Sequence, residues 1–469
     1  MSSSRSSADR SCPEPSIKVE APLSFATLTF DASYVERGFN ETQDLGTLNC
    51  AIFGAATLSG LPFRVRSPTF LQAPRVRICR PTLLRSGWRP TQPIHLSPGL
   101  PDSTLIIASS GTTKPSLPLS RSSVPRANPV FYANQYVWDD QYAAFAQVDL
   151  HVTSQFTVTL GARQEIAQTH QRNFSGTGLF NSGVPIEAQS SERETPFLPK
   201  ATLSHQLTPS DMVYASASKG LRVGGGNNGL PTLCAVNDTA TYNADYLWSY
   251  ELGTKDRFFG GRMQVDPSVF HVRWSQIQSA VLLACGLSYT ANLGTADSDG
   301  FDLALQVMVT DQLRVDLNVG YADARYVSNA YTPNGLPLSI KGDAIQALNV
   351  VNPSWDVSTS PNYTFNLASG DKVQVRAQYI DHSRNNRPVI TGDPLAPAYA
   401  PLDVPDPPTH LANLRADYMT GAFDWGLYLN NAFNSHPLLG ALQDTPTSNL
   451  TTHSTFRPRT LGVSANYSF

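Results

Sequence analysis

The sequence predicts an all-β fold: a partial antiparallel transmembrane β-barrel of about 14 strands, with an irregular N-terminal region before it. Three observations predict it. From residue 460 to the end, Leu461, Val463, Ala465, Tyr467 and Phe469 fall on one side of a strand and Thr460, Gly462, Ser464, Asn466 and Ser468 on the other, the period of two that gives a strand one apolar face. The breaks between such segments alternate in length. Short turns lie near His151–Gln155, Leu207–Asp211, Phe258–Arg262, Thr310–Gln312, Ala368–Asp371 and Thr420–Ala422, and long polar connections near 170–192, 223–245, 277–291, 326–353, 384–410 and 433–456. Tight turns on one edge and long loops on the other suit a barrel in an outer membrane. Finally, a mean hydropathy of −0.22 and the lack of any apolar run of about 18 residues exclude a helical membrane protein but not a barrel, whose alternating strands average to near-soluble hydropathy.

Taken in order, residues 1–20 form a Ser-rich stretch without a core pattern and are expected to be a disordered tail. Residues 21–44 hold one barrel strand, with Leu28, Phe30, Ala32 and Tyr34 opposing Thr27, Thr29, Asp31 and Ser33. Residues 45–127 form an irregular Pro/Arg-rich segment. Between Leu45 and Pro101 there is no Asp or Glu, while arginines such as Arg64, Arg75 and Arg89 stand among prolines. Three readings stay open for it: a disordered basic linker, a basic arm for nucleic acid or anionic lipid, or a segment out of frame with its flanks. The strands then follow one another through 128–469. Phe156, Val158, Leu160 and Ala162 oppose Thr157, Thr159, Gly161 and Arg163; Leu313, Val315, Leu317 and Val319 oppose Arg314, Asp316, Asn318 and Gly320; Val373, Val375, Ala377 and Tyr379 oppose Gln374, Arg376 and Gln378. Charges keep to the polar side. A β-sandwich also alternates, but its strands are shorter and its loops do not sort by length. About thirteen strands follow residue 140 and one precedes it, an even total as bacterial barrels require.

Composition narrows function. The chain has 469 residues, 41% hydrophobic and 15% charged, enough for one large β structure or two to three ordinary domains. A net charge of −3 argues against nucleic acid reached by bulk electrostatics. Met1 to Pro15 shows no apolar signal-peptide core, so a cytosolic chain, or one whose true start has been lost, is expected. The cysteines at 12, 50, 79, 234 and 285 follow no zinc spacing. The histidines are scattered too, though His436 and His453 share the last long connection with Asp444. No catalytic set stands out, so enzyme activity is not expected, nor is a cofactor. Gly224-Gly225-Gly226-Asn227-Asn228-Gly229 satisfies GxGxxG but opens no helix and lies in no βαβ unit, which makes it a loop mouth rather than a dinucleotide site.

Several segments together resemble the TonB-dependent outer-membrane receptors. Tyr214 to Gly226, YASASKGLRVGGG, resembles that family's strand running into a Gly-rich outer loop, and Tyr250-Glu251-Leu252-Gly253-Thr254-Lys255 its YELG-K strand. Phe270 with Ile277-Gln278, then Asn292, Gly294 and Gly300-Phe301, fit the next two strands; Asn413-Leu414 and Arg457-Pro458-Arg459-Thr460 fit the closing pair. Two departures stand out. Pro267 falls inside a strand, and the family's Asn-Leu-Phe signature appears as Asn430-Asn431-Ala432-Phe433.

The resemblance implies a cell outer-membrane location, contact with outer-membrane lipid, TonB as partner, and uptake of a scarce small ligand such as a ferric siderophore. It also implies a barrel of about twenty-two strands around a plug, of which neither plug nor TonB box is recognisable here, so a truncated form is expected. A passive pore and a non-functional remnant are the alternatives. The residues expected to contact ligand, chosen by loop location, are Tyr242, Tyr246, Trp248, Tyr289, Tyr331 and Tyr399. Cys234 and Cys285, in successive long connections, are expected to pair if the chain reaches an oxidising compartment.

Overall fold

The computed structural model describes residues 5–6, 10–11, 16–22, 26–42, 133–175, 186–227, 229–230, 240–283, 288–332, 335–347, 350–403, 406–443 and 451–468. One compact unit comprises Met1–Ala56 and Ala127–Phe469, and a second, Thr57–Arg126, lies wholly outside the described residues, as do all the readings made of 45–127. Eighteen strand segments join one sheet. They are β1 (Ser16–Pro22), β2 (Ala26–Thr42), β3 (Ala133–His151), β4 (Phe156–Ser175), β5 in two segments (Ile186–Glu194 and Phe197–Gln206), β6 (Asp211–Arg222), β7 (Asp245–Phe258), β8 (Met263–Leu282), β9 (Ser288–Met308), β10 (Leu313–Tyr326), β11 (Trp355–Asn366), β12 (Lys372–His382), β13 (Thr409–Thr420), β14 (Phe423–Asn430) and β15 (Thr460–Tyr467). The dipeptides Arg5–Ser6 and Arg10–Ser11 continue β1 along β2.

The sheet is therefore fifteen strands wide, each antiparallel to the next, where the sequence suggests about fourteen. The additional strand is β1, which begins inside the stretch read as a tail; Ile17, Val19 and Ala21 do alternate with Ser16, Lys18 and Glu20, over only seven residues, and pair with Ala32, Phe30 and Leu28 of β2. Among the described residues no pairing joins β1 to β15. The short turns fall where expected, and two of them share one chemistry: Thr153 Oγ1 accepts the Phe156 N–H at 2.9 Å and Thr310 Oγ1 the Leu313 N–H at 2.9 Å, a side-chain turn that reverses the chain in a few residues. The connection expected over 277–291 is mostly strand, since β8 runs to Leu282 and β9 starts at Ser288.

Register sorts the two faces, because directly paired residues lie on one side. Leu461, Val463 and Tyr467 pair with Leu429, Leu427 and Phe423, and all lie on a face whose large apolar side chains stand exposed, Val463 at 79%. Val269, Phe301, Tyr321 and Trp355 form one row on that face, with the Phe301, Tyr321 and Trp355 rings in mutual contact. The next row toward the long connections is His271, Asp299 and Asp323, and the one after it Arg273, Asp297 and Arg325. His271 Nδ1 lies 2.7 Å from Asp299 and Arg325 Nη1 2.7 Å from Asp323. At the other end of β11, Tyr363 contacts Phe365. From Trp355 to Phe365 is about 33 Å along the strand at about 3.3 Å per residue, or about 25 Å at a strand tilt of about 40°, the height of the apolar band between the aromatic girdles of a membrane barrel. The jump from aromatic row to ion-paired rows marks where hydrocarbon gives way to water.

The opposite face is polar and needs its glycines. In β7 the YELG motif divides by face: Tyr250 and Leu252 stand on the apolar side, while Glu251 accepts a hydrogen bond from the Tyr214 hydroxyl. A Cβ at Gly253 would lie 2.6 Å from that hydroxyl, so the tyrosine lies over the glycine. Phe270 lies likewise over Gly300, and Tyr428 over Gly462. A Cβ at Gly300 would come 2.1 Å from the Tyr321 carbonyl oxygen, an atom of backbone. Gly300→Val is thus expected to lower stability by about 3 kcal/mol, whereas Gly392→Ala, with nothing within 4 Å of the added carbon, should change it by less than about 0.5 kcal/mol; urea midpoints in detergent compare the two.

Pro267 is held inside β8. Its pairing with β9 is continuous, Pro267 opposite Leu303, but the ladder to β7 lapses between Gly253–Ser268 and Asp256–Val265, as a residue without an N–H requires. Asn431, the asparagine that the altered Asn-Leu-Phe signature retains, has a structural role. It adopts a φ of 49°, is buried, and its amide donates to the Ser435 and Arg457 carbonyls, each at 2.9 Å, closing the last long connection at its base.

Candidate ligand-facing site at the long-connection end

The packed interior gathers beneath the long connections. Gln276 and Gly294 both take positive φ, 57° and 53°, and beyond them Ile277 joins Ala296 and Tyr326 in a buried cluster with Trp274 against it. A second cluster, Val281, Leu283 and Leu293, packs Leu230, Tyr289 and Leu338.

A polar frame surrounds these clusters. Arg222 ends β6 directly opposite Asp245 at the start of β7, and the two form an ion pair at 2.5 Å in which the Asp245 side chain is 2% exposed and that of Arg222 49%. Asp245 also accepts the Gln278 N–H at 2.9 Å, and Arg222 donates to the Gln278 carbonyl at 2.7 Å while its guanidinium lies 5.1 Å over Trp274. The Gln278 amide donates to the carbonyls of Val223 at 2.8 Å and Asn243 at 3.0 Å. Asn292 exchanges hydrogen bonds with the Asn243 backbone, 2.8 and 2.9 Å, and Asn227 does so with the Thr290 backbone, both at 2.8 Å. Side-chain amides thus substitute for a ladder where the connection between β6 and β7 crosses β8 and β9. Asp245→Ala would strand the part-buried Gln278 N–H and half of a charge pair, an expected loss of about 2 kcal/mol given the exposure of Arg222; faster hydrogen exchange at the Gln278 amide is the local check.

The glycine run belongs to the same frame. Gly225 pairs with Tyr242 in an antiparallel ladder of two residues a side, and a Cβ at Gly225 would lie 2.5 Å from the Tyr242 hydroxyl. A Cβ at Gly226 would meet the Ser190 side chain and one at Gly224 the Tyr242 carbonyl, so close packing of the connection is what the glycines permit there. Burial raises the Tyr242 phenol above its usual range. Further round, the connections after β10 and β12 meet, with the Ala344 N–H donating to the Pro388 carbonyl at 2.9 Å. Arg387 forks onto Asp323, one arm at 2.6 Å, and the carboxylate holds its guanidinium charge more firmly. Burial raises the Asp343 carboxyl, with Asp393 adding to the effect.

The six aromatic candidates separate. Tyr246 and Trp248 are not loop residues: they lie in β7, on the face of Tyr250 and Leu252, with Trp248 stacked on Tyr250 at 6.1 Å and Lys219 4.7 Å over Tyr246. Loop location is therefore no ground for choosing them: Trp248 lies directly opposite Arg273, in the second of the ion-paired rows, and Tyr246 opposite Ser275, one row further toward the long connections. Tyr242 and Tyr289 support the frame from within. Tyr331, more than half exposed, and Tyr399, whose N–H donates to the Ala396 carbonyl at 3.0 Å, stand in the connections after β10 and β12. Cys234 and Cys285 lie outside the described residues. The sequence reading missed Arg222, Asp245, Gln278, Asn292 and Asn227. Arg222, Gln278 and Asn292 stand within the segments that resemble the family, but as strand residues; their part in a shared frame becomes visible only once pairing places those strand ends together. Among the described residues no three His, Cys, Asp or Glu gather as metal ligands.

The family model described as "TonB dependent receptor-like, beta-barrel" matches residues 106–435, well over half of the chain. The chain belongs to that family. The TonB-dependent receptor match starts inside the segment read as irregular and stops before β15. The metal-pseudopaline receptor CntO of Pseudomonas aeruginosa is 26% identical over 198 residues, 42% of this chain and 26% of that protein. The ferric yersiniabactin uptake receptor FyuA of Yersinia pestis superposes with a TM-score of 0.60 at 13% identity, covering 97% of this chain and 53% of that one. The copper transporter OprC does so with a TM-score of 0.58 at 10% identity, covering 97% and 56%. At these identities the two structures show the barrel fold alone. The chain spans about a quarter of the curated relative's length and about half of each solved structure.

Proposed function

We propose that this chain forms the wall of a TonB-dependent receptor in the cell outer membrane, one that captures a scarce small ligand such as a ferric siderophore or related metal chelate and admits it by transport rather than by catalysis. The observation that carries the proposal is the division of the sheet: an apolar face bounded by aromatic rows about 25 Å apart, a polar face behind it, and a rigid polar frame under the long connections. Lipid would meet the first face and ligand the last. Tyr331 and Tyr399, presented by connections that Arg387 and the hydrogen bond from Ala344 to Pro388 tie together, are the aromatic groups best placed to meet a chelate. The names of the relatives favour metal as cargo, and TonB would supply the energy, since a membrane without a nucleotide pool has no other source.

The test is a chimera in which residues 133–468 replace the matching strands of the ferric yersiniabactin uptake receptor. TonB-dependent accumulation of a radiolabelled ferric chelate is expected. A TonB-independent leak would instead support a passive pore, and failure to insert a non-functional remnant.

A further inference from the structure

On the polar face between β12 and β14 lies an open groove of about 430 Å³, lined by Arg376, Gln378, Asn413, Arg415, Tyr428 and Asn430, with no carboxylate in its lining. It is far from the frame described above: Arg376 is about 13 Å along β12 from the short-turn end at Lys372, at about 3.3 Å per residue. Its size falls in the range of small-molecule sites.

Arg376 pairs directly with Arg415 across the β12–β13 ladder, the like-charge arrangement that sheets ordinarily avoid. Only one of the two is neutralised. Arg415 forks onto Asp417 with its Nε 2.9 and 2.8 Å from the two carboxylate oxygens. Arg376 gives its Nε to the Ser360 hydroxyl at 2.7 Å, and among the described residues no acidic group ion-pairs with it. Around it the groove offers further donors in the Gln378 and Asn413 amides, the former accepting from the latter at 3.2 Å, and in the Tyr428 hydroxyl, which stands over Gly462. A planar guanidinium with free terminal nitrogens matches a carboxylate through two parallel hydrogen bonds.

We infer that this groove is a binding site for a small carboxylate-bearing anion, with Arg376 as its principal contact and Arg415, Gln378 and Tyr428 as its walls. The uptake reading gives the site a role, an internal station that an anionic chelate reaches after leaving the outer connections. The inference rests on that reading only for the route by which the anion arrives, because binding is measured without transport.

The experiment uses the full chain co-folded in detergent micelles with seven matching strands of the ferric yersiniabactin uptake receptor, with citrate as the probe and sodium chloride at matched ionic strength as the reference. Citrate at about 10 mM should raise the melting temperature a few degrees beyond the chloride reference, as a ligand selective for the folded state does, and calorimetry should show saturable binding. Arg376→Gln should melt no lower than the parent in chloride, because a like-charge neighbour is removed, and should lose the citrate increment. Lys219→Gln, on the apolar face, should retain it. Should Arg376→Gln fail to fold, Arg376→Lys keeps the charge and removes the fork, and is expected to weaken citrate binding at least tenfold. An increment reproduced by chloride alone, or one that survives at Arg376→Gln or at full strength in Arg376→Lys, would overturn the site. Neither result bears on whether the chimera accumulates a ferric chelate, so the two readings fail separately.

Discussion

Val463→Arg is expected to lower stability in a bilayer by about 2 to 4 kcal/mol, while Ser464→Arg, one residue on, should cost less than about 1 kcal/mol. Both positions lie in β15, and the ladder to β14 fixes their faces: Val463 opposite Leu427 on the apolar side, Ser464 opposite Gly426 on the polar side. Depth sets the magnitude. Tyr467 packs against Phe423 with ring centroids 4.8 Å apart, at the short-turn boundary of the apolar band. Val463 lies about 13 Å back along the strand at about 3.3 Å per residue, hence about 10 Å into a band about 25 Å tall, close to its middle. At position 464 a new guanidinium would meet water and the Asp417 carboxylate beside Arg415, with some repulsion from Arg415 itself. The measurement is a denaturant titration, in lipid vesicles, of the chimera carrying residues 133–468. Equal tolerance of the two substitutions would mean that the apolar face does not meet lipid.

What the sequence made legible is what parity and loop length record. In β4, β10, β12 and β15 the alternation alone names the face of every residue, because a membrane sheet solvates its two sides so differently that the pattern cannot drift. Turn positions were equally readable, since Thr153 and Thr310 stand a fixed distance before the strands they start. Tertiary information was not. Tyr246 and Trp248 look like loop aromatics from their place after a glycine-rich run, yet the pairing of Asp245 with Arg222 starts β7 before them. The polar frame is built from amides that reach backbone across sequence separations of 35 to 63 residues, as with Gln278 to Asn243 and Asn227 to Thr290, and nothing local announces such contacts. The opposition of Arg376 and Arg415 was hidden for the same reason. Each reads as an ordinary polar-face residue of its own strand until the register between β12 and β13 is known.

The 469-residue chain by itself is expected not to form a closed, heat-modifiable monomer in a bilayer. The sheet of the described residues has fifteen strands, each antiparallel to its neighbour, so β1 and β15 point the same way, and sealing one edge against the other requires a parallel seam. Parallel pairing is the weaker ladder, and bacterial single-chain barrels use even strand numbers, which avoid it. A second copy offers no remedy. Copies inserted in the same orientation present edges of the same direction, so every seam between them is parallel as well. Left open, the two edges expose unpaired N–H and C=O groups to hydrocarbon at a cost of several kcal/mol for each group, a sum beyond the whole stability of an ordinary domain. Strands added in odd number meet both edges antiparallel. Seven of them would bring the fifteen to the family's about twenty-two. Co-folding with seven matching strands of the ferric yersiniabactin uptake receptor should therefore restore heat-modifiable migration in vesicles, and a cysteine placed at Leu461 should cross-link to the last of them. Six strands should not. Heat-modifiable monomer from the chain alone, with cysteines at Ile17 and Leu461 joining to each other, would show that the parallel seam forms and that the edges need no complement.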